Sequence, residues 1–316
     1  MAVIEMNPRV FAAIFLLCLT WGYLWVPMKI SLHTFPPFFF TALRLLIGGL
    51  CLLLLQIFLK KSIFPSRHEW AKILLLSGLM CIGYYGLSTF GMQYVGSGLS
   101  AILVYTMPII IGVLAHYFLA ERLNTQKLIG LGLGTLGILI ILSNQLLHLK
   151  FNLTLFGELL IILAAFFWAC ATVYMKKQFA SYDKIKLTMW QLFMGGLMLY
   201  VLAYATEDLS HLAWHNNMTL LYVGYSSVLG TALAFLLWNW IVSQIDASLA
   251  SISIMSVPLL GMFFGHVQLH EPLSLNILLG AVFICLGIIS CSLKRSGSGS
   301  FNQHKTAHIC LNDKDL

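Results

Sequence analysis

Residues 99–123 read LSAILVYTMPIIIGVLAHYFLAERL, and residues 249–273 read LASISIMSVPLLGMFFGHVQLHEPL. The second stretch repeats the first at an offset of 150 positions. The identical residues include, in order, Leu99, Ile102, Pro108, His116, Glu121 and Leu123, matched by Leu249, Ile252, Pro258, His266, Glu271 and Leu273. Leucines align by chance between apolar stretches, whereas an ordered set that includes proline, histidine and glutamate indicates a duplication.

Upstream of these stretches the duplication continues at an offset of 147, where Trp21 is matched by Trp168 and Leu45 by Leu192. A slip of three residues near the third and eighth apolar runs reconciles the two offsets. The sequence therefore predicts two tandem copies of one unit, over residues 9–143 and 154–292.

The composition is typical of a chain that lies in lipid. Of the 316 residues, 59% are hydrophobic and 9% are charged, whereas soluble domains carry about 25% charged residues. A helix needs about 20 mostly apolar residues to cross the hydrocarbon core. Such runs fall at 9–30, 36–59, 70–92, 97–119, 126–143, 154–176, 187–206, 217–241, 247–268 and 273–292. The sequence predicts an all-α integral membrane protein with ten transmembrane helices. The first is an uncleaved span, because it lacks the small-x-small cleavage site of a signal peptide.

The positive charges predict the orientation of these spans. Of the 18 Lys and Arg residues, 15 fall on one side of the membrane if the N-terminus is cytoplasmic, and only Lys150 falls in an outer loop. Because cytoplasmic loops are enriched in Lys and Arg, both termini are expected in the cytoplasm. This distribution accounts for the net charge of +7 without nucleic-acid binding. The remaining segments are a cytoplasmic N-terminus (1–8), an outer loop (144–153) and a disordered cytoplasmic tail (293–316).

Each copy contains five helices, an odd number, so the second copy enters the membrane from the opposite side. Inverted repeats of this kind recur in secondary transporters, where the substrate site lies at the repeat interface near the membrane midplane. The sequence predicts a transporter that works by alternating access.

Two matched prolines, Pro108 and Pro258, fall in the middle of the fourth and ninth runs. A proline within a helix removes one backbone hydrogen bond, and in hydrocarbon the freed carbonyl needs a partner or a water-lined cavity. These residues indicate a pair of broken helices beside a central cavity. Simple packing bends are the alternative.

Arg44 lies about eight residues into the second run. A charged side chain inside a membrane is costly, so its default interpretation is functional, and it could bind a carboxylate or a phosphate. The alternative is an arginine that reaches outward to water or caps neighbouring carbonyls. Its counterpart in the second copy is the uncharged Gln191.

Aromatic side chains within the runs form a second group of candidate solute contacts. Trp21 and Trp168 are deep and match across the repeat, and Tyr84, Tyr105, Trp238 and Asn239 are also placed within spans. Tryptophan belts at the membrane interface are the competing interpretation, which fits Trp70, Trp214 and Trp238.

The remaining polar motifs indicate structure rather than chemistry. Glu121 and Glu271 precede Asn124 and Ser274, good N-caps for the next helices, so we expect structural corners there. The GxGxxG pattern at 132–137 lies inside a span with no preceding strand. It therefore indicates close helix packing rather than nucleotide binding. No metal site, cofactor site or catalytic constellation is predicted, and the protein is not expected to be an enzyme.

Taken together, these motifs resemble the EamA family of the drug/metabolite transporter superfamily over residues 9–292. They include Thr20-Trp21-Gly22, Ala42-Leu43-Arg44-Leu45, Met107-Pro108, Glu121-Arg122-Leu123, Trp190-Gln191, Gly195-Gly196 and Glu271-Pro272-Leu273. The resemblance implies ten helices, cytoplasmic termini, and transport, often export, of amino acids or other small metabolites in a bacterial inner membrane.

The sequence thus predicts a secondary transporter, with a central cavity lined from the first, third, fourth, sixth, eighth and ninth helices. The predicted contacts are Trp21, Arg44, Tyr84, Tyr105, Trp168 and Gln191, with Pro108 and Pro258 as hinge or cavity residues. Its partners are a small-molecule substrate and the lipid bilayer. A ligand-sensing membrane protein without flux is the alternative. The sequence does not distinguish proton coupling from facilitated diffusion, or a monomer from a homodimer.

Overall fold

The structure is a computed structural model that describes residues 7–121, 125–141, 143, 153–210, 212, 217–254, 256–271 and 273–292. Every regular element in those ranges is helical, without a strand. The predicted tail (293–316) and most of the predicted outer loop (144–152) lie outside the described residues.

The helices follow the apolar runs. They are α1 (Pro8–Ser31), α2 (Pro37–Phe58), α3 (Trp70–Gly91), α4a (Ser97–Val104) and α4b (Met107–Leu119), α5 (Thr125–Ile141), α6 (Leu153–Gln178), α7 (Lys184–Thr206), α8 (Asn217–Gln244), α9a (Ala247–Ser253) and α9b (Val257–Leu269), and α10 (Leu275–Ser292). Among the described residues, seven helices are long and apolar enough to cross a membrane, counting α4a and α4b as one. The chain is therefore an all-α membrane protein, as predicted. The number of ten crossings stays a prediction.

The helix ends gather into two sets. The set that we call the N-terminal face contains Pro8 and the connections 59–69, 179–183 and 245–246, and Lys61 of one connection lies 2.9 Å from Asp183 of another. The other set, the far face, contains the connections 32–36, 92–96 and 207–210, where the backbone N–H of Phe38 donates to Glu207 at 2.7 Å. Successive helices run between the two faces, so depth can be estimated along each helix at about 1.5 Å per residue.

The fourth and ninth helices are interrupted at matched places. Pro108 is the second residue of α4b and Pro258 is the second residue of α9b. Proline suits the first turn of a helix, where its missing N–H leaves no bond unmade. Each helix is therefore divided just before its proline, which differs from a proline kink inside a continuous helix.

Two π-helical segments, Gly78–Gly86 in α3 and Val228–Leu233 in α8, begin 150 positions apart. The sequence analysis did not predict them. Such segments widen a helix locally and are frequent at functional sites.

Glycines allow two close approaches between helices. A Cβ added at Gly195 of α7 would lie 2.2 Å from Cys81 of α3, and one at Gly287 of α10 would lie 2.7 Å from the carbonyl oxygen of Gly130 in α5. In the second contact, α5 carries glycines at four-residue spacing, Gly130 and Gly134, in line with the close packing expected from the GxGxxG pattern.

Candidate functional site

A cleft of about 440 Å³, including its mouth, lies in the half of the molecule nearer the far face. Seven helices contribute to its walls, namely the six that the sequence predicts and α2. The residues that line it are Trp21, Leu24, Trp25, Met28, Arg44, Tyr84, Tyr85, Ser88, Val104, Tyr105, Met107, Trp168, Phe235 and Val257. Met28, Arg44 and Ser88 lie towards the far ends of their helices, whereas Trp21 and Trp168 lie near the middle.

Five of the six predicted solute contacts line this cleft, namely Trp21, Arg44, Tyr84, Tyr105 and Trp168. Gln191 is not among the lining residues. The two prolines do not line the cleft either, but the residues just before them, Met107 and Val257, do. The two helix breaks therefore place the first residues of α4b and α9b beside the cleft.

Arg44 is buried, with 1% of its surface exposed. Its Nε donates to the Thr231 hydroxyl at 2.7 Å, and its guanidinium carbon lies 4.5 Å from the centre of the Tyr85 ring. Thr231 belongs to the π segment of α8. The alternative of an arginine that reaches outward to water is therefore wrong. No carboxylate within the described ranges forms an ion pair with it.

Four rings close the cleft from below, and we call Trp21, Trp168, Phe235 and Trp238 the aromatic floor. The Trp21 and Trp168 rings are 5.4 Å apart with an angle of 76° between their planes, an edge-to-face arrangement that stabilises ring pairs. Trp238 packs 5.9 Å from Trp21 and 5.7 Å from Trp168.

The burial of Trp238 corrects one prediction. Its exposed fraction is 0%, so its assignment to an interfacial belt is wrong, because ring packing in the protein core outweighs the position of the residue near one end of its run. Trp214 lies outside the described residues.

At the floor and below it, the half nearer the N-terminal face holds buried polar side chains. The amide nitrogen and oxygen of the Gln191 side chain, the hydroxyl of Thr172 and the indole nitrogen of Trp238 have no hydrogen-bond partner. At the repeat offsets of 147 and 150, these residues are the counterparts of Arg44, Trp25 and Ser88, which line the cleft.

Glu271 holds the beginning of α4a at the far face. Its carboxylate accepts hydrogen bonds from the backbone N–H of Ser97 at 2.8 Å, the Ser97 hydroxyl at 2.6 Å and the backbone N–H of Gly98 at 2.9 Å. Nearby, the ammonium of Lys29 donates to the carbonyl oxygens of Met92 and Val95 at 2.7 and 2.8 Å.

The counterpart lies at the N-terminal face. Glu121 accepts from the backbone N–H of Ala247, the first residue of α9a, and from the ammonium of Lys176, each at 3.0 Å. Lys176 also donates to the carbonyl oxygen of Ile245 at 2.8 Å. We call each glutamate, with the segments it holds, a carboxylate clamp.

The clamps refine the predicted structural corners. Ser274 does cap the following helix, since its hydroxyl accepts from Ile277 N–H at 3.4 Å, whereas Asn124 lies outside the described residues. The glutamates themselves reach the other half of the chain, 174 positions away for Glu271 and Ser97. Spacing along one helix carries no signal for such a contact.

Two carboxylates in connections between helices have shifted pKa values. Burial tends to raise the pKa of Asp183, but hydrogen bonds from the backbone N–H of Lys186 and from the Lys61 ammonium lower it below its ordinary value overall. Burial raises the pKa of Glu207, against the lowering effect of the Phe38 and Phe39 N–H groups. Asp183 links two connections at the N-terminal face, and Glu207 binds the start of α2 at the far face. Neither residue lines the cleft.

Sequence reasoning missed several cleft residues, among them Trp25, Tyr85 and Phe235. A signal was present for two of them, because Tyr85 and Phe235 are counterparts at the offset of 150. Trp25 has Thr172 as its counterpart, so the match between the two copies gives no signal for it.

Comparison with known proteins shows the family. The profile of the EamA-like transporter family matches residues 9–143 and again residues 155–293. The uncharacterized transporter YoaV of Bacillus subtilis (strain 168) is 39% identical over 280 residues, covering 89% of this chain and 95% of that protein. The uncharacterized transporter YvbV of the same organism is 31% identical over 306 residues, covering 94% of each.

A solved crystal structure shares the fold, with a TM-score of 0.74 and 18% identity over 91% of this chain and 97% of that one. The profile matches nearly all of the chain outside its two termini. The chain therefore belongs to the EamA-like transporter family and is a multi-pass membrane transporter.

Proposed function

We propose that the protein is a secondary transporter that exports small metabolites, amino acids among them, by alternating access between two inverted five-helix repeats, residues 9–143 and 154–292. The solute binds in the cleft above the aromatic floor, in contact with Trp21, Arg44, Tyr84, Tyr105 and Trp168. When the molecule opens to the other side, Gln191 joins the solute pathway.

The observation that carries this proposal is the difference between repeat-related halves. Trp25, Arg44 and Ser88 line the cleft, whereas their counterparts Thr172, Gln191 and Trp238 are buried at the floor or below it, each with a side-chain polar atom that has no hydrogen-bond partner. Polar groups that are buried without partners cost free energy and need an explanation. A second conformation, in which the lower half opens and these groups meet water or solute, supplies one.

The two carboxylate clamps support an exchange between such conformations. Each clamp joins the end of one broken helix to the start of the other, and the two clamps lie at opposite faces. Repeat-related contacts at both faces are what a pair of inverted repeats requires, since each face then has the same means of holding α4 and α9 together.

The loop charges supply the orientation in the proposal. With the N-terminal face in the cytoplasm, the cleft lies in the half of the molecule nearer the outside of a bacterial inner membrane. Export as the direction rests on the resemblance of the motifs to the family.

Thiol labelling tests alternating access. Cys18 lies on α1 below the floor and is buried, whereas Ser88 lies in the cleft wall. In two variants, each with one cysteine, at position 18 or by Ser88→Cys, a membrane-impermeant maleimide is applied to the N-terminal or the far face. A His33→Cys variant, at an exposed position in a far-face loop, serves as the control.

We expect a transported solute, first identified by a metabolite-export screen in overproducing cells, to change the two labelling rates in opposite directions and to leave the control unchanged. Rates that rise or fall together, or a Cys18 that never reacts, would contradict alternating access. Uptake into proteoliposomes tests transport itself, and binding without flux would favour a sensor.

A further inference from the structure

We propose that the cleft selects an apolar monocarboxylate without a cationic group, whose carboxylate binds Arg44 and whose hydrocarbon part packs among the aromatic rings. The inference rests on the proposed function, because it names the class of solute for that site.

The charge of Arg44 calls for an anion. A guanidinium stays protonated in proteins, and a buried charge is tolerated when it is paired. The contacts of Arg44 are a hydroxyl, the thioether of Met28 at 2.9 Å and the face of one ring. None of these carries a negative charge, and a planar carboxylate matches the fork of N–H donors on an arginine.

The other polar groups around the cleft point the same way. The indole N–H group of Trp168, which lines the cleft, has no hydrogen-bond partner, and an indole N–H is a donor only. Neither Asp nor Glu occurs among the fourteen lining residues. An ammonium group in this space would face a guanidinium without a carboxylate to offset the repulsion, so a zwitterion is disfavoured relative to the matching acid.

The walls define the rest of the solute. Ten of the fourteen lining side chains are aromatic or aliphatic hydrocarbon, the others being Met28, Arg44, Ser88 and Met107. Edge-to-face rings 4.4–5.4 Å apart at Tyr84, Trp168 and Trp21 leave the hydrocarbon part of a ligand in contact with ring surfaces. An aryl or branched-chain acid fits this lining.

A matched set of three ligands tests the inference on the unaltered protein. The ligands 3-phenylpropionate, phenylalanine and phenethylamine share a phenyl ring and differ in charge, as an anion, a zwitterion and a cation. Binding is measured by calorimetry on the purified full-length protein in detergent. We expect 3-phenylpropionate to bind at least about tenfold more tightly than phenylalanine, and phenethylamine most weakly.

Variants then locate the anion. Arg44→Gln is expected to weaken 3-phenylpropionate binding by at least about tenfold, Arg44→Lys to restore part of it, and Arg67→Gln, at an exposed loop position, to leave it unchanged. The same titrations correct for partitioning of the ligand into micelles. Phenylalanine that binds as tightly as the acid, or binding that survives Arg44→Gln in a folded variant, overturns the inference.

The outcomes separate this inference from the proposed function. Flux of an amino acid into proteoliposomes, together with weak binding of the acid, would sustain transport and overturn the solute class. Arg44-dependent binding of the acid without any flux would sustain the solute class and overturn transport.

Discussion

Replacing Glu271 with glutamine should destabilise the protein markedly, although the two side chains have nearly the same shape. The carboxylate accepts three hydrogen bonds at the start of α4a, two from Ser97 and one from Gly98, at 2.6–2.9 Å. An amide offers one oxygen, and its NH₂ group cannot accept from the donor that it faces. The substitution therefore removes at least one hydrogen bond to a charged group and leaves a backbone N–H without its partner.

The magnitude follows from these contacts. A hydrogen bond to a charged group contributes about 1.5–3 kcal/mol, and a negative charge at a helix N-terminus adds about 0.3–1 kcal/mol. The free energy of unfolding should fall by about 2–4 kcal/mol. At about 2 °C per kcal/mol, the low end for long chains, the thermal midpoint in detergent should fall by about 4–8 °C. Glu121→Gln should behave similarly, since it also loses an ion pair with Lys176.

Glu158→Gln is the matched control, because it makes the same chemical change at a carboxylate in a different setting. Glu158 is buried in α6, and its Oε1 has no hydrogen-bond partner. A neutral amide costs less to bury than an ionised carboxylate, so this variant should be as stable as the wild type or more stable. A Glu271→Gln protein that melts with the wild type, or a Glu158→Gln protein that melts well below it, would refute the reasoning.

Three further predictions follow from the packing. Trp21→Ala combined with Trp168→Ala should abolish transport in vesicles while membrane insertion stays intact, and unchanged flux would contradict their place in the solute site. Gly195→Ala should lower the free energy of unfolding by more than about 1 kcal/mol, because its methyl group meets a cysteine at 2.2 Å. Gly224→Ala, with nothing within 4 Å, should be neutral or stabilising in the same thermal assay. Ala120→Gly should stabilise the protein by up to about 1 kcal/mol, because φ is 55° there and a left-handed conformation is costly for alanine; a lower thermal midpoint would contradict this.

The helical membrane fold was predictable because its causes are local. A run of about 20 apolar residues can satisfy its backbone in lipid only as a helix, so composition and run length suffice, and every predicted run contains helix in the described structure. The deep aromatic residues of the cleft were predictable for a related reason. Trp21 and Trp168 match across the repeat, and a residue duplicated deep within two spans has no interfacial role.

The contacts within the site were harder to predict because they join distant parts of the chain. Glu121 was expected to form a structural corner within its own half of the chain. Its hydrogen bond from the backbone N–H of Ala247, 126 positions away, cannot be inferred from the spacing of residues along the sequence. Trp238 lies near the end of its apolar run, and only its packing against the Trp21 and Trp168 rings shows that it belongs to the floor. The π-helical segments also have no sequence signature, since no particular residue type is required to form them.

In the proposed alternating-access cycle, the difference between Arg44 and Gln191 determines how much each half contributes to solute binding. An anion bound at Arg44 would stabilise the conformation with the far-face cleft, and the uncharged amide of Gln191 would bind the same anion less tightly in the lower half. A ligand shifts a conformational equilibrium only by its difference in affinity for the two states. This asymmetry therefore affects the populations of the states and the rate at which each side releases solute. It does not set the direction of net flux, which for a carrier without an energy source follows the solute gradient. Export then requires either a higher solute concentration in the cytoplasm or coupling to a second gradient, and the dependence of flux on a pH gradient distinguishes the two.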